Sequence, residues 1–319
     1  MRALVWTAPR SVELRDEPEP VASEGETVVT VLATGVCGSD LNGVRGLSKR
    51  RIPPLILGHE ATVRDDKGKL FVAFPLATCG RCDRCLEGAT NLCSDRSLLG
   101  LHRPGTFAER VAVPVHNLIP VPPGLGIVPA SLTEPLATAM NIARTEGVFA
   151  GRTVLVIGCG SIGLLATYAF SRLGATVHAT DPVEGRRAVA QELGANAVLA
   201  TSGEVTPEAY DIVVDAVGIA ATWALAVASV RTGGSIAIVG LGQPEGLVPM
   251  GAVVQRGITL RGYYAYTRDD FDAALHLLAS SPPPLEWVQP VPLEEGAEVL
   301  LRLVDDPAMA AKVMFLTGA

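Results

Sequence analysis

The sequence predicts an α/β protein of two domains, one built on a doubly wound parallel sheet and the other rich in β-strands. Its 319 residues are about twice the length of a typical domain. After Gly151, short apolar strands alternate with amphipathic helices, a pattern typical of a parallel sheet that helices cover on both faces. The first 140 residues instead show the alternation of antiparallel or barrel-like strands, separated by prolines and glycines.

Individual elements follow from these patterns. Residues 25–36 and 107–121 alternate as strands of the β-rich domain. The remaining segments are strands at 153–157, 176–181, 197–200, 210–218, 234–242, 258–264 and 310–317, and helices at 161–174, 182–194, 267–281 and 293–306.

Composition and charge exclude several classes of protein. Hydrophobic residues make up 48% of the chain and charged residues 18%, which permits large cores and argues against disorder. The net charge of -7 and the scattered arginines argue against a nucleic-acid partner. Acidic residues appear too early for a signal peptide, and the apolar runs are shorter than the roughly 20 residues of a membrane span. We therefore expect a soluble, cytoplasmic protein with no membrane partner.

A glycine-rich turn predicts a dinucleotide site. The strand at 153–157 runs into G-C-G-S-I-G at 158–163, and a helix follows, which is the context of a Rossmann fingerprint. The first glycine permits a tight turn, the second lets backbone approach the pyrophosphate, and the third allows close helix–strand packing. The helix N-terminus attracts phosphate. The predicted cofactor-binding residues of this turn are Gly158, Gly160, Ser161, Ile162 and Gly163.

Asp181, at the end of the second strand of this domain, predicts the cofactor. A carboxylate there accepts hydrogen bonds from the adenosine ribose and repels a 2′-phosphate, which favours NAD over NADP. Arg186 and Arg187 weaken this preference, because a guanidinium could accommodate the phosphate, and Arg186 is a further cofactor candidate. The alternative role of Asp181 is to cap the helix that opens at Pro182, and both roles can coexist.

Four cysteines predict a metal site. Cys79, Cys82, Cys85 and Cys93 have the spacing C-x2-C-x2-C-x7-C. Four thiolates complete the tetrahedral shell of zinc and leave no position for a substrate, so such a site is structural. Disulfides or an iron–sulfur cluster are the alternatives. We favour zinc, because disulfides between residues three apart are strained and the iron–sulfur spacings differ.

Further motifs carry a family resemblance. A lone cysteine near the N-terminus and a His-Glu pair, in a chain with a dinucleotide fold, suggest an open zinc site with three protein ligands. Together with the four-cysteine segment and the glycine turn, the motifs make the chain resemble the zinc-dependent medium-chain alcohol and polyol dehydrogenases over nearly its whole length. They occur in the family's order: Cys37 with Asp40, Gly58-His59-Glu60, GTFAERVAVP at 105–114, Glu134-Pro135-Leu136 and KVMFL at 312–316.

The resemblance implies a catalytic zinc in addition to the structural one. It implies Cys37 and His59 as ligands, with Glu134 at the position of a third ligand, as in the sorbitol and sugar dehydrogenase branch. Glu60 would coordinate the zinc directly or through its water. Asp40 would hold the other nitrogen of His59.

Further roles and the domain boundaries are also implied by the resemblance. Ser39 would bind the substrate alcohol, Thr138 would contact the nicotinamide and Lys312 would lie near the pyrophosphate. A GroES-like catalytic domain would comprise residues 1–141 and 265–319, and a Rossmann domain residues 142–264.

One residue and one segment depart from the family pattern. Asn42 stands where many relatives carry a proton-relay histidine, and an amide cannot take up a proton as imidazole does. The segment between Glu60 and Cys79 is shorter than its family equivalent.

The sequence thus predicts an oxidoreductase that transfers a hydride between a secondary alcohol, a polyol or a sugar, and NAD. The alternatives are an alcohol dehydrogenase for small apolar alcohols and a non-catalytic NAD(H)-binding sensor that retains only the structural zinc. The resemblance also implies a homo-oligomer, either a dimer or a tetramer.

Overall fold

The computed structural model describes residues 1–200 and 202–318. The strands are β1 (Arg2–Ala8), β2 (Ser11–Asp16), β3 (Glu26–Gly35), β4 (Leu55–Ile56), β5 (Glu60–Arg64), β6 (Leu70–Ala73), β7 (Leu76–Ala77), β8 (Ser97–Leu98), β9 (Arg110–Pro114), β10 (Leu118–Pro120), β11 (Thr153–Ile157), β12 (Thr176–Thr180), β13 (Ala197–Leu199), β14 (Tyr210–Asp215), β15 (Val230–Ile238), β16 (Thr259–Gly262), β17 (Val288–Pro292) and β18 (Lys312–Leu316). The helices are α1 (Gly38–Val44), α2 (Asp83–Leu86), α3 (Ile127–Ser131), α4 (Thr133–Glu146), α5 (Ser161–Arg172), α6 (Glu184–Glu192), α7 (Ala220–Ser229), α8 (Met250–Gln255), α9 (Arg268–Ser280) and α10 (Gly296–Asp305).

The chain divides into two compact units. The first comprises Met1–Glu134 and Thr267–Ala319, and the second comprises Pro135–Tyr266. The sequence predicts the divisions after residues 141 and 264.

The first unit is rich in antiparallel β-structure. Its largest sheet has the order β10-β6-β5-β3-β18-β17, and β9 also pairs with β3. The long strand β3 therefore lies between β5 and β18, and its C-terminal residues face both of them. The shortened segment after β5 forms a direct hairpin with β6, whose turn is closed by Asp65. This arrangement places β5, which follows β3 closely in the chain, and β18, which lies near the C-terminus, beside the same strand.

The second unit is a parallel sheet of six strands in the order β13-β12-β11-β14-β15-β16. Every neighbouring pair in this sheet is parallel. This order is that of a Rossmann domain, with the reversal of winding beside the first strand, β11. The interior strands are almost wholly buried, as expected for strands that helices cover on both faces. The predicted α/β class, with a doubly wound sheet and a separate β-rich unit, is confirmed.

Several element boundaries differ from the predicted ones. The predicted strand at 107–121 is divided into β9 and β10 by a turn of 3-10 helix at Val115–Asn117, and β14 ends at Asp215 rather than at 218. Strand β15 begins at Val230, four residues before the predicted 234, in a polar, glycine-containing stretch that local propensity does not favour. Helix α6 begins at Glu184 rather than at Pro182, and its N-cap residue is Val183. Helix α10 begins at Gly296, after a short turn of 3-10 helix at residues 293–295.

Among residues 1–200 and 202–318, none of the helices combines the length and the apolar character that a bilayer span requires.

Asp211 joins the strand ends on the N-terminal side of the parallel sheet. Its carboxylate accepts hydrogen bonds from the Thr153 backbone N–H at 2.9 Å, the Thr153 hydroxyl at 2.9 Å and Arg231 Nε at 2.8 Å. Burial raises the pKa of Asp211, but these donors outweigh it and lower the pKa to about 2. The carboxylate therefore contributes to stability as an anion.

We expect Asp211→Asn to lower the free energy of unfolding by about 2 kcal/mol at pH 7, because charge-assisted hydrogen bonds are lost. The folded pKa of about 2 lies below the unfolded value of about 3.9. The contribution is therefore present above about pH 4 and lost as the pH falls toward 2. Urea unfolding at pH 7 and pH 3 measures it. Asp66→Asn, at a side chain 84% exposed, is the control, and an equal effect of both substitutions would contradict this account.

Candidate active site

Helix α1 fixes the first candidate ligand. Cys37 is its N-cap residue, and the backbone N–H of Cys37 donates to Asp40 Oδ2 at 3.1 Å. Asp40 thus occupies the N3 position of a capping box, where an acidic side chain satisfies an otherwise free backbone donor. The spacing C-G-S-D therefore has a local structural purpose: it holds the Cys37 backbone at the start of the helix.

Cys37, His59 and Glu60 form a trio whose ligand atoms lie within 4.8 Å of one another. Glu60 is 0% exposed and His59 is 4% exposed, whereas Cys37 is half-buried. Glu60 Oε1 is buried and has no hydrogen-bond partner. A thiol, an imidazole and an unpartnered carboxylate oxygen are a donor set that suits zinc and leaves a coordination position open. The residues of this trio fit a catalytic metal ion.

His59 is surrounded by acidic groups. Its Nδ1 lies 3.4 Å from Asp40 Oδ1. Burial lowers the pKa of His59, but Asp40, together with Cys37 and the Glu134 carboxylate, raises it well above its ordinary value. Glu134 is buried in the first turn of α4 and lies outside the trio. The structure therefore groups Glu60 with Cys37 and His59, while Glu134 acts on His59 through its charge and stays a predicted ligand.

The four clustered cysteines form a second group of ligand atoms within 4.8 Å of one another. Their Sγ atoms are separated by 3.5 Å (Cys93–Cys79), 3.6 Å (Cys82–Cys85) and 4.0 Å (Cys79–Cys85). Sulfur atoms about 2.3 Å from a tetrahedral zinc are about 3.8 Å apart, so the cluster has the size of a Cys₄ zinc site. All six cysteines of the chain are free thiols, and none forms the disulfides of the alternative hypothesis.

The glycine turn has the geometry that its sequence requires. Gly158 has φ of +92°, and an added Cβ would lie 2.4 Å from Val217 Cγ2. At Gly163 an added Cβ would lie 1.8 Å from the Gly158 carbonyl oxygen, whereas at Gly160 it would meet nothing within 4 Å. Gly160 is the N-cap of α5, and Ser161 and Ile162 open that helix. Two glycines therefore serve close packing, and the third leaves backbone open to a ligand.

Asp181 lies just beyond β12 and is buried beside this turn. Its Oδ2 accepts from the Cys159 N–H at 2.8 Å, and its Oδ1 accepts from the Val183 N–H at 2.9 Å. Arg186 Nη1 lies 4.0 Å from Asp181 Oδ2, and Arg187 donates to the Asp181 carbonyl. The carboxylate joins the loop before α6 to the glycine turn, although it is not the N-cap residue of the helix. Arg186 is close enough to offset its charge.

Lys312, the last strand's first residue, lies beside the metal trio within the first unit. Its side chain is fully buried, and its Nζ forms an ion pair with Glu60 and donates to the Val36 carbonyl at 3.0 Å. Gly35 makes room for this pair, because an added Cβ would lie 2.0 Å from Glu60 Oε2. The structure therefore gives Lys312 a partner that the sequence did not predict.

Ser39 and Thr138 complete the predicted residues. Ser39 lies in the first turn of α1, half-exposed. Thr138 belongs to α4 in the second unit and is 7% exposed.

The comparisons with known proteins agree with this geometry. A family model described as an alcohol dehydrogenase GroES-like domain matches residues 23–123, and one described as a zinc-binding dehydrogenase matches residues 161–280. The alcohol dehydrogenase TADH from Thermus sp. ATN1 is 30% identical in sequence, with a TM-score of 0.89 over 99% of each chain. The chain belongs to the zinc-dependent medium-chain alcohol dehydrogenase family. The resemblance inferred from the sequence motifs is confirmed.

Two further dehydrogenase structures are similar in fold and sequence. Acetophenone reductase from Geotrichum candidum in complex with NAD is 28% identical, with a TM-score of 0.91 over 99% of this chain and 97% of that chain. Galactitol-1-phosphate dehydrogenase from Escherichia coli is 25% identical, with a TM-score of 0.91 over 99% of this chain and 100% of that chain. The chain is therefore similar to dehydrogenases with different substrates.

Two residues of this medium-chain dehydrogenase site were missed by sequence reasoning. Arg51 is buried, and its guanidinium contacts Ser39 and Asp40. Gly35 is the other, through the space that it leaves for Glu60 and Lys312. No sequence motif marks either residue, because each acts through partners that only the folded chain brings close.

We expect Gly35→Ala to lower the free energy of unfolding by about 2–4 kcal/mol, because the new methyl group displaces one partner of a buried ion pair. Urea denaturation measures the change. Gly38→Ala is the matched control, since an added Cβ there meets no heavy atom within 4 Å. A Gly35→Ala variant as stable as the control would show that Glu60 and Lys312 do not need this space.

Proposed function

We propose that this protein is an NAD-dependent zinc dehydrogenase that oxidises a secondary alcohol of the polyol or sugar class. The observation that carries the proposal is the trio Cys37, His59 and Glu60, with a buried carboxylate oxygen that has no partner. The second unit supports it with a dinucleotide fingerprint of the required backbone geometry. Family membership supports the general reaction, and the substrate class rests on the polar side chains around α1.

The proposed reaction assigns a task to each residue near α1. A zinc ion held by the trio would supply a Lewis acid, and a bound NAD would supply the hydride acceptor. In the proposed reaction the alcohol would lose a hydride from carbon to the bound NAD⁺ and a proton from its hydroxyl, so the products would be a carbonyl compound, NADH and H⁺. The Ser39 hydroxyl, half-exposed at the start of α1, accepts the hydrogen bond of the substrate hydroxyl. Asp40 orients His59 through its Nδ1.

A hydroxylated substrate suits the surroundings of Ser39. The half-exposed amide of Asn42 lies one turn further along α1, and it can both donate to and accept from additional hydroxyl groups. Because Asn42 cannot take up a proton, we propose that the substrate proton reaches solvent through Ser39 and water. NAD is proposed over NADP because a carboxylate after the second strand of this domain, here Asp181, would accept hydrogen bonds from the adenosine ribose and repel a 2′-phosphate.

The test of this function combines a substrate panel with metal counting. We expect two zinc ions per chain and a higher kcat/KM for polyols or sugars with NAD than for aliphatic alcohols or with NADP. Cys37→Ser is expected to lose one zinc and to lower kcat/KM by about 1,000-fold, since the Lewis acid contributes several kcal/mol. Cys82→Ser is expected to lose the other zinc and to lower the Tm first, because metal binding there stabilises the fold.

Cys159→Ala is the matched control, because burial raises the pKa of this thiol to about 12 and it lies outside both cysteine-containing groups. It should retain both zinc ions. A preference for unsubstituted alcohols would identify an apolar-alcohol dehydrogenase instead. One zinc per chain without hydride transfer would identify a nucleotide-binding sensor.

We also propose that the protein is a homo-oligomer that associates through β16. In the described sheet this strand pairs with β15 on one side only, and all four of its residues are exposed. An exposed strand edge favours pairing with a second chain. Exposed apolar side chains occur on and before this strand, at Leu241, Leu247, Met250, Val254 and Leu260.

Sedimentation velocity tests this interface. We expect the wild type to sediment as a dimer or larger oligomer and the double variant Val254→Lys/Leu260→Lys to shift toward the monomer, because paired positive charges repel across an edge. The control is Val21→Lys/Val115→Lys, at exposed apolar positions of the first unit. A monomeric wild type, or an equal shift in both variants, would contradict the proposed interface.

A further inference from the structure

Arg51 is a buried cation beside the candidate active site. Its side chain is 5% exposed. Nε donates to the Gly100 carbonyl at 2.9 Å, and Nη2 contacts Ser39 Oγ at 3.3 Å and Asp40 Oδ1 at 3.4 Å. Gly43 leaves space for this side chain, because an added Cβ would lie 2.8 Å from Arg51 Cδ. The guanidinium is thus built into the fold and directed at α1.

Arg51 has more partners than the one acidic group that a buried guanidinium requires. A buried guanidinium needs an acidic partner, and Asp40 supplies it. Asp40 is shared, however, because its Oδ1 also faces His59 Nδ1 and its Oδ2 accepts from Cys37. Asp40 therefore neutralises the guanidinium of Arg51 only in part. The remaining positive charge acts on the third contact of Arg51, the Ser39 hydroxyl.

The contact with Arg51 determines which hydrogen bonds Ser39 can still make. A hydroxyl has one donor and two acceptor lone pairs. Arg51 uses one lone pair of Ser39 Oγ, so the other lone pair and the O–H remain for groups on the accessible side. A cation fixed behind a hydroxyl stabilises negative charge on an oxygen that this hydroxyl binds.

This electrostatic role fits the departure at position 42. Where relatives of this chain are expected to carry an imidazole in the relay, this chain has Asn42, which cannot accept a proton. A fixed positive charge at Ser39 favours loss of the substrate's hydroxyl proton without itself exchanging one, since a guanidinium does not deprotonate in proteins.

We infer that Arg51 is a positioning residue that orients the Ser39 hydroxyl and stabilises negative charge on the substrate oxygen during alcohol oxidation. The inference rests on the proposed function. A purely structural role, in which Arg51 ties the loop before β4 to the Gly100 carbonyl, is the competing explanation.

The test is a double-mutant cycle between Arg51 and Ser39 in the zinc-loaded enzyme, with kcat and KM measured for the best alcohol of the panel. We expect Arg51→Met to lower kcat by about 100-fold, the effect of removing one preorganised donor, with a smaller change in KM. In the Ser39→Ala background the same substitution should change kcat by less than about 3-fold, because residues that act as a unit are non-additive.

The variant Arg51→Lys separates the effect of the positive charge on kcat from the effect of the guanidinium's packing contacts. Lysine keeps the positive charge but cannot reproduce the forked contacts with Gly100 and Asp40, so we expect it to retain at least roughly a tenth of the wild-type kcat. Arg50→Met, the same substitution at the exposed neighbouring position, is the control and should leave kcat within about 3-fold of the wild type. Zinc content and Tm, measured for every variant, report the structural role independently of turnover.

The outcomes distinguish this inference from the function on which it rests. If the wild type transfers no hydride from any alcohol, the proposed function fails and the inference falls with it. If the wild type is active but Arg51→Lys and Arg51→Met lower kcat equally, or if the effects of Arg51→Met and Ser39→Ala are additive, Arg51 is structural and only the inference fails. Loss of zinc or a lowered Tm in Arg51→Met that matches its loss of activity would also overturn it.

Discussion

The shared carboxylate of Asp40 organises the candidate active site. It is 0% exposed, yet it contacts the Cys37 backbone, the His59 imidazole and the Arg51 guanidinium. Burial raises the pKa of Asp40, but His59 and Arg51 outweigh it and lower the pKa below its ordinary value. A buried anion is stable only when its partners remain in place. The positions of a ligand backbone, a ligand ring and a cation are therefore coupled through one side chain.

A second buried ion pair, between Glu60 and Lys312, holds the third residue of the trio. Glu60 follows His59 in the chain, but its carboxylate is held by Lys312 from β18, across the space above Gly35. His59 and Glu60 are consecutive and both belong to the trio, but each has its own charged partner: Asp40 lies beside His59 Nδ1, and Lys312 pairs with Glu60. One pair orients the imidazole, and the other fixes one carboxylate oxygen and leaves the second free for a metal. Such preorganisation lets a ligand set accept an ion without rearrangement.

The cysteine cluster, in contrast, needs little from the rest of the chain. Its four sulfur atoms come from residues 79–93, and their separations already match a closed tetrahedral shell. A closed shell has no place for a substrate. Under the proposed function, the most conspicuous group of reactive residues in this sequence would serve stability, and the chemistry would belong to the less conspicuous trio.

Local patterns in the sequence determined the α/β class, the strand–helix alternation of the second unit, the glycine turn and the cysteine cluster. Each of these is formed by residues close in the chain, whose spacing and backbone preferences act before any long-range contact forms. The motifs around Cys37 and His59 identified the family. The resemblance also implied Glu60 beside them, but only the tertiary structure decided that Lys312 holds Glu60 and that Arg51 reaches Ser39. Lys312 and Glu60 are 252 residues apart, and their meeting depends on the register of β5, β3 and β18. Strand register and the space left by a glycine arise from packing of the whole unit, and no local periodicity encodes them.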